Sequence, residues 1–335
     1  MKKNVFAVCD LESSYAYNFM DYMNRKKNSP FEVQAFTSVK SLSVFCENNE
    51  IDVLLISNDA MCNEVNQLGI EKILILSEGE LLPELIEYPT IYKYQSSDHI
   101  IGEVMNYYAD TQEPSSEVHV LKKTVKIIGI YSPVKHCLKT SFALTLGQLL
   151  AKDQNVLYLN LEEFSGFETL FGKEFRTDLS DLMYFIKQEK ANITFRLNGV
   201  LQSLSNLDYI PPVQTPDDLR SITYEEWSKL LDEIVKNTEY EVIIIDFGES
   251  VQKLFSLLNK CIRIYMPIKD DVISKAKIDQ FEKMLDVCQL NSLSEKIKKI
   301  KLPFHNSYIE KEFYIDQLVW SELGDYVRQL IREDM

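Results

Sequence analysis

The sequence predicts an α/β protein built from two doubly wound parallel-sheet domains. Three observations carry that expectation. Short, wholly apolar runs such as DVLLIS (52–57), ILILS (73–77) and EVIIID (241–246) read as strands buried on both faces, as parallel sheets require. Such runs alternate with segments of helical spacing along the whole chain. A polar stretch with one proline and two serines, TQEPSSEVHV, occupies 111–120 and reads as a linker. With 335 residues, 45% of them hydrophobic, there is material for two cores. The expected division is therefore 1–110, a linker at 111–120, and 121–335.

The first region opens with VFAVCD (5–10), a buried strand. Tyr15, Phe19, Tyr22 and Met23 then fall on one helical face. FEVQAF (31–36) alternates as a strand, and Leu42 to Asn48 reads as a helix. The apolar strands at 52–57 and 73–77 follow, then a shorter one at Thr90–Lys93. A helix from Ile100 to Tyr108 closes the region. Five strands alternating with helices give a doubly wound sheet.

The second region begins with the strand Val125–Tyr131, a loop, and a helix carrying Leu144, Leu146, Leu149 and Leu150. Asn155–Asn160 is the next strand, with a loop through Gly166. Asp178 caps a helix with Leu179, Leu182, Met183 and Ile186 on one face. Leu207–Val213 reads as a short strand ended by prolines. Thr223 and Glu226 form a capping box. Strands at 241–246, 261–267 and 297–303 follow, the last two separated by a long helix. A single final helix is expected to present Trp320, Leu323, Val327, Leu330 and Ile331 as its apolar stripe.

Composition narrows the function classes. A net charge of −15 argues against nonspecific binding to nucleic acid or anionic lipid. The lysines at 296, 298, 299 and 301 alternate with Ile297, Ile300 and Leu302, so they read as the wet face of a strand. No apolar run approaches the length of a membrane span. The N-terminal MKKNVFAVCDLESS reads as a first strand rather than a signal peptide. Six scattered cysteines lack the CxxC spacing of a zinc site and read as reduced cytosolic thiols.

The stretch VKIIGIYSPVKHCLKTSFALTLGQLLAK (125–152) has the strand–loop–helix setting of a phosphate-binding loop. Its end, Lys139-Thr140-Ser141, supplies a lysine for the β/γ-phosphates and a threonine hydroxyl for Mg²⁺. The two glycine positions of GxxxxGK[ST], however, hold Pro133 and Leu138. Pro133 has no N–H and a fixed φ, and Leu138 places a branched side chain where backbone should approach phosphate. The expectation is a poor N–H cradle, with Leu138 or Val134 filling part of the phosphate site in the empty state.

The order strand, P-loop, helix, strand ending near an acid, then an apolar strand ending in aspartate resembles the MinD/ParA superfamily of deviant Walker-A ATPases. The passages YSPV, YLNLEEFSGF, DLSDLMYFIK, DYIPPV and MPIKDDVISKAKIDQFEKML narrow the resemblance to CpaE- and TadZ-like proteins of Flp/Tad pilus assembly. That resemblance implies cofactor-binding roles for Lys139, Thr140, Ser141 and Asp246, with Thr140 and Asp246 holding Mg²⁺ if ATP binds. Asp246 matches the Walker B aspartate, with Gly248 in the switch II position. Asn160 and Glu162 match the two switch I aspartates, which makes Glu162 the candidate catalytic residue. Val134 stands where the family has its signature lysine.

The first region resembles a response-regulator receiver domain. Asp10 matches one acidic position, with Cys9 in the other; Ser57 stands where that family has its phospho-acceptor aspartate. Ser77 and Lys93 match the later Thr/Ser and lysine, and Tyr94 replaces a proline. The resemblance implies a flavodoxin-like pseudo-receiver kept for interactions, joined to a MinD/ParA-like P-loop NTPase-fold domain. The implied function is a localisation or assembly scaffold for Flp/Tad-type pilus or secretion machinery, acting through protein partners rather than as an enzyme. Nucleotide binding is expected to be weak or absent. The alternative is a slow or non-hydrolysing ATP-binding switch whose homodimerisation controls localisation. The implied location is the bacterial cytoplasm, with recruitment to the pole or to membrane-associated machinery through partners. Neither nucleic acid nor membrane insertion is expected.

Overall fold

The computed structural model describes residues 4–26, 29–79, 83–111, 124–188, 193–303 and 314–334. The first sheet is formed by β1 (Asn4–Cys9), β2 (Phe31–Phe36), β3 (Val53–Ser57), β4 (Ile73–Ser77) and β5 (Thr90–Tyr92). All pair in parallel in the order β2-β1-β3-β4-β5, that of a flavodoxin-like doubly wound sheet. The helices are α1 (Ser13–Arg25), α2 (Val39–Cys46), α3 (Asn63–Asn66) and α4 (Ser97–Thr111). Period-two alternation assigns each strand residue to a face. Phe6, Val8, Leu55 and Leu76 join the core with Phe19 of α1 and Ile101 of α4. Ala7, Cys9, Leu54 and Ile75 join the core with Leu42 of α2 and Val65 of α3.

The second sheet has seven strands. In chain order the elements are β6 (Lys126–Ile130), α5 (Lys139–Leu150), β7 (Val156–Leu161), α6 (Phe167–Phe171), α7 (Leu179–Lys187) and α8 (Ile193–Val200). Next come β8 (Gln202–Leu204), β9 (Leu207–Ile210), α9 (Pro216–Ser221), α10 (Tyr224–Asn237), β10 (Val242–Phe247) and α11 (Leu254–Leu258). The chain continues through β11 (Arg263–Pro267), α12 (Val272–Val287), α13 (Asn291–Ser294), β12 (Ile297–Ile300), α14 (Tyr314–Trp320) and α15 (Glu322–Asp334). The strand order is β12-β11-β6-β10-β7-β9-β8. Pairing is parallel except where β8 runs antiparallel to β9 at the edge. The α/β class expected from the apolar runs is the observed one.

The described residues form two compact units. The first combines those of Met1–Glu117 and Lys190–Gly199, the second those of Val118–Glu189 and Val200–Met335. Most of α8 therefore belongs to the first unit, although it is encoded within 121–335. Phe195 enters the aromatic core there, 5.7 Å from the Phe31 ring and 4.7 Å from Tyr108. Arg196 bonds Asp110 and donates to the Asn106 carbonyl oxygen (3.5 Å) and Oδ1 (3.3 Å). Backbones approach closely here, since a Cβ on Gly102 would lie 2.8 Å from the Gly199 carbonyl oxygen. Beyond Thr111 the expected linker lies outside the described residues.

Some expectations change. The final helix is two helices, α14 and α15, broken at Ser321, whose Oγ accepts from Leu323 N at 3.2 Å. The break turns Trp320 out of the stripe; it is 77% exposed, while Leu323, Val327 and Leu330 are buried. The last strand stops at Ile300 rather than Pro303, and that at Leu207 stops at Ile210 before the prolines. No helix among the described residues is long and apolar enough to cross a membrane.

Candidate functional site

In the second unit, β6, β7 and β10 end side by side, and the loops that follow enclose a cavity of about 470 Å³. The β6–α5 loop is residues 131–138. Its backbone takes positive φ at His136 (55°) and Leu138 (60°, ψ 28°), and Leu138 is the N-cap of α5. These are left-handed turns of the kind a glycine-rich phosphate loop uses. Histidine tolerates the region better than most residues, whereas leucine is strained there by about 1–2 kcal/mol. Pro133, by contrast, is not among the positive-φ residues. The expected obstruction is thus one of side chains on a curled loop. Leu138 and Val134 both line this cavity; Val134 is 5% exposed and also packs with Cys137 and Ile278. Ser132 anchors the loop by donating to the Pro267 carbonyl (2.7 Å) and accepting from Val134 N (3.1 Å).

Three predicted site residues meet at one point. Lys139 begins α5, Glu162 follows β7, and Asp246 lies near the end of β10. The Lys139 ammonium lies 3.0 Å from Asp246 Oδ1, pairs with Glu162 Oε1, and donates to the Phe247 carbonyl. Asp246 is fully buried and the Lys139 side chain is 13% exposed. Burial alone would lower the lysine pKa, but Asp246 and Glu162 outweigh it and hold it above the ordinary value. Burial pushes the Glu162 carboxyl up, against the pull of Lys139, and Asp246 adds to the rise.

Thr140 and Ser141, in the first turn of α5, line the same cavity. Ser141 Oγ is shared with Tyr314 OH at 2.8 Å, so this hydroxyl ties α5 to α14. Asn160 lies directly opposite Asp246 in the β7–β10 ladder. Its Nδ2 donates to Tyr158 OH (3.0 Å), which donates to Asp246 Oδ2 (3.2 Å).

Tyr158, Glu163 and the Phe247 carbonyl escaped the sequence reading. Tyr158 had a legible signal: a hydroxyl in an apolar strand, two residues before Asn160 and so on its face. Glu163 had none, because it acts across loops. Its Oε1 accepts from the backbone N–H groups of Glu249 (3.1 Å) and Ser250 (2.8 Å). Burial opposes the charge, but these backbone bonds and Ser250 lower its pKa overall. Gly248 completes the junction. Its N–H donates to Leu161 O (3.0 Å), and a Cβ there would lie only 2.3 Å from that oxygen.

The residues fit the phosphate end of a nucleotide with a divalent cation in part. Lys139 would meet the phosphates, and Thr140 and Asp246 would hold the cation, which would neutralise phosphate charge. Pro133 and the Leu138 side chain work against the backbone cradle. Among the described residues no group of three or more His, Cys, Asp or Glu could hold a metal alone.

In the first unit, Asp10, Ser57, Ser77 and Lys93 lie at the ends of neighbouring strands or just beyond them. Lys93 is 3% exposed and its ammonium meets Asp10 (3.0 Å), Glu12 (3.3 Å) and Glu78 (2.9 Å). Burial would lower its pKa, but Glu78, Asp10 and Glu12 together raise it. Ser57 is 6% exposed, and among the described residues its Oγ has no hydrogen-bond partner. The four lysines near β12 each meet oxygen. Lys296 bonds Asn259, and Lys298, Lys299 and Lys301 pair with Asp334, Glu282 and Asp270.

No family model and no curated protein matches the chain. Several solved structures resemble it. A plasmid partition protein from Borrelia burgdorferi is 15% identical, covering 64% of this chain and 100% of that one, with a TM-score of 0.45. A ParA family ATPase from Chlorobium tepidum is 20% identical, covering 60% and 83%, with a TM-score of 0.44. A McdA–ATP complex from Cyanothece is 16% identical, covering 63% and 79%, with a TM-score of 0.41. These values are too low to carry a function from those proteins to this chain.

Proposed function

We propose that the protein is a MinD/ParA-like localisation or assembly scaffold whose second unit binds ATP with Mg²⁺ weakly and turns it over poorly or not at all. The observation that supports this is that Lys139, Thr140 and Glu162 line one cavity at the ends of parallel strands, with Lys139 paired to Glu162 and to the buried Asp246 behind it. Retention of these groups favours binding. Efficient hydrolysis needs preorganised charge around the γ-phosphate. Here Val134 replaces the signature lysine, and Leu138 intrudes on the cradle.

The reading extends to the whole chain as follows. Residues 1–110 form a pseudo-receiver, 111–120 a linker and 121–335 the ATPase-like domain, with the 193–199 excursion joining the first unit. The client is Flp/Tad-type pilus or secretion machinery, on the strength of the CpaE- and TadZ-like passages. Contacts are made with protein partners and through a homodimer, in the cytoplasm, with recruitment to the pole or to membrane-associated machinery. The engaged lysines near β12 and the net charge of −15 support protein partners over nucleic acid.

Titration calorimetry with ATP and Mg²⁺ tests binding, and phosphate release tests turnover. Binding weaker than micromolar, with phosphate release from wild type and Lys139→Ala alike, is expected. Turnover lost specifically in Lys139→Ala would show a working ATPase.

A further inference from the structure

After α7 the chain leaves the second unit, gives most of α8 to the first, and rejoins the second at Val200. By itself α8 has little reason to be a helix. In its sequence, ITFRLNGV, only Arg196 and Leu197 are strong helix formers; Gly199 is a poor one, and the rest are middling. Its eight residues also fall short of the roughly 12–15 that an isolated helix needs in water. Docking supplies what propensity does not. Phe195, Arg196, Leu197 and Gly199 are all buried, and the Phe195 ring joins Tyr108 and Phe31, themselves 5.0 Å apart.

The end of α4 is incomplete without α8 in return. Its last turn holds no basic residue and carries Asp110, the wrong charge for the negative end of the helix dipole. Arg196 supplies the missing cation, pairing with Asp110 and donating to both oxygens of Asn106. The two helices meet at glycines. A Cβ on Gly102 would lie 2.8 Å from the Gly199 carbonyl oxygen, and one on Gly199 would lie 2.9 Å from Asn106 Oδ1.

We infer that α8 is a strap that folds only as it docks, so that α8 and the C-terminal half of α4 form one order–disorder element. Undocked, α8 loses its helix, and α4 loses its cation and an aromatic partner together. Both ends of the strap are held in the second unit. Before it, Leu179 N at the start of α7 donates to Pro211 O (2.9 Å); after it, β8 pairs with β9. Only residues 188–192 separate α7 from α8, and only Leu201 separates α8 from β8. Tethers this short give an effective concentration on the order of millimolar, so α8 docks within its own chain rather than on a second copy. Whatever in the second unit favours docking must therefore order the first unit by the same factor. This device stands apart from the nucleotide reading and needs no ligand in the first unit.

Hydrogen exchange by mass spectrometry on the full-length protein reads both helices at once. In Gly102→Ala, alanine improves α4 as an isolated helix, yet its Cβ pushes α8 away. Exchange at 193–200 is expected to rise at least about tenfold, although the substitution lies in the first region. Conversely, Phe195→Ala and Arg196→Gln should each raise exchange at 104–111 at least about tenfold, with α10 within about twofold of wild type. Where Gly102→Ala or Phe195→Ala fails to fold, Arg196→Gln, which removes the charge and keeps a donor, decides alone. Exchange that rises only on the substituted helix overturns the inference. So does a folded Gly102→Ala whose 193–200 segment exchanges as slowly as wild type.

Discussion

Phe195 packs its ring 4.7 Å from that of Tyr108, so an eight-residue helix encoded in the second half of the chain completes the core of the first unit. Phe195→Ala removes a ring that also touches Phe31. The first unit should lose about 3–5 kcal/mol, as for other buried aromatic truncations. Urea unfolding checks this, with Tyr184→Ala, exposed on α7, as a near-neutral control.

Leu138→Gly should help the loop. Leucine occupies φ 60° at the start of α5, and glycine reaches that region at no steric cost. Relief of about 1 kcal/mol of strain, less whatever packing the leucine contributes, and tighter ATP binding are expected. Glycine at 133 or 135 should do less, because positive φ within the loop falls at 136 and 138. Wild type already binding ATP at micromolar strength, with no gain in the variant, would refute the obstruction argument.

Gly248→Ala should be costly. The new Cβ would sit 2.3 Å from Leu161 O and 3.0 Å from Glu162 Cα, both backbone. The strand ends must separate, at roughly 1–3 kcal/mol. Faster amide exchange at 248–250 together with a lower melting temperature is the expected signature.

The Glu163 junction should depend on pH in one direction. Its folded pKa lies below the ordinary 4.5 because backbone N–H groups hold the charged form. Its stabilisation is therefore fully present above 4.5 and is lost as pH falls through the depressed folded value. Exchange at Glu249 and Ser250 should stay slow from neutral pH down to that range. Glu163→Gln, which still offers an acceptor, should keep part of the protection; Glu163→Ala should not.

The first unit should be inert to acyl-phosphate donors. Ser57 offers a hydroxyl where a carboxylate would be needed, and Lys93 is held by three carboxylates. Acetyl phosphate with Mg²⁺ should leave the intact mass unchanged. A stoichiometric phosphoryl adduct within 1–110 would refute this.

Apolar runs and their spacing were enough to determine the α/β class and most strands, because burial on both sheet faces leaves a continuous apolar signature. Position in the chain also placed Lys139 at the start of the helix that follows β6, and Glu162 and Asp246 at the ends of β7 and β10 or just past them. What the tertiary structure decided is how those ends meet. Lys139 turns inward to two carboxylates and a carbonyl because the parallel ladder sets Asp246 beside Asn160 and brings the following loops together. The Glu163 junction joins residues 86 and 87 positions apart and leaves no local pattern. Trp320 was misplaced because the chain breaks at Ser321, which a helical count across that point does not register. The 193–199 excursion was invisible for the same reason: helical spacing shows that a face is apolar, not which core receives it.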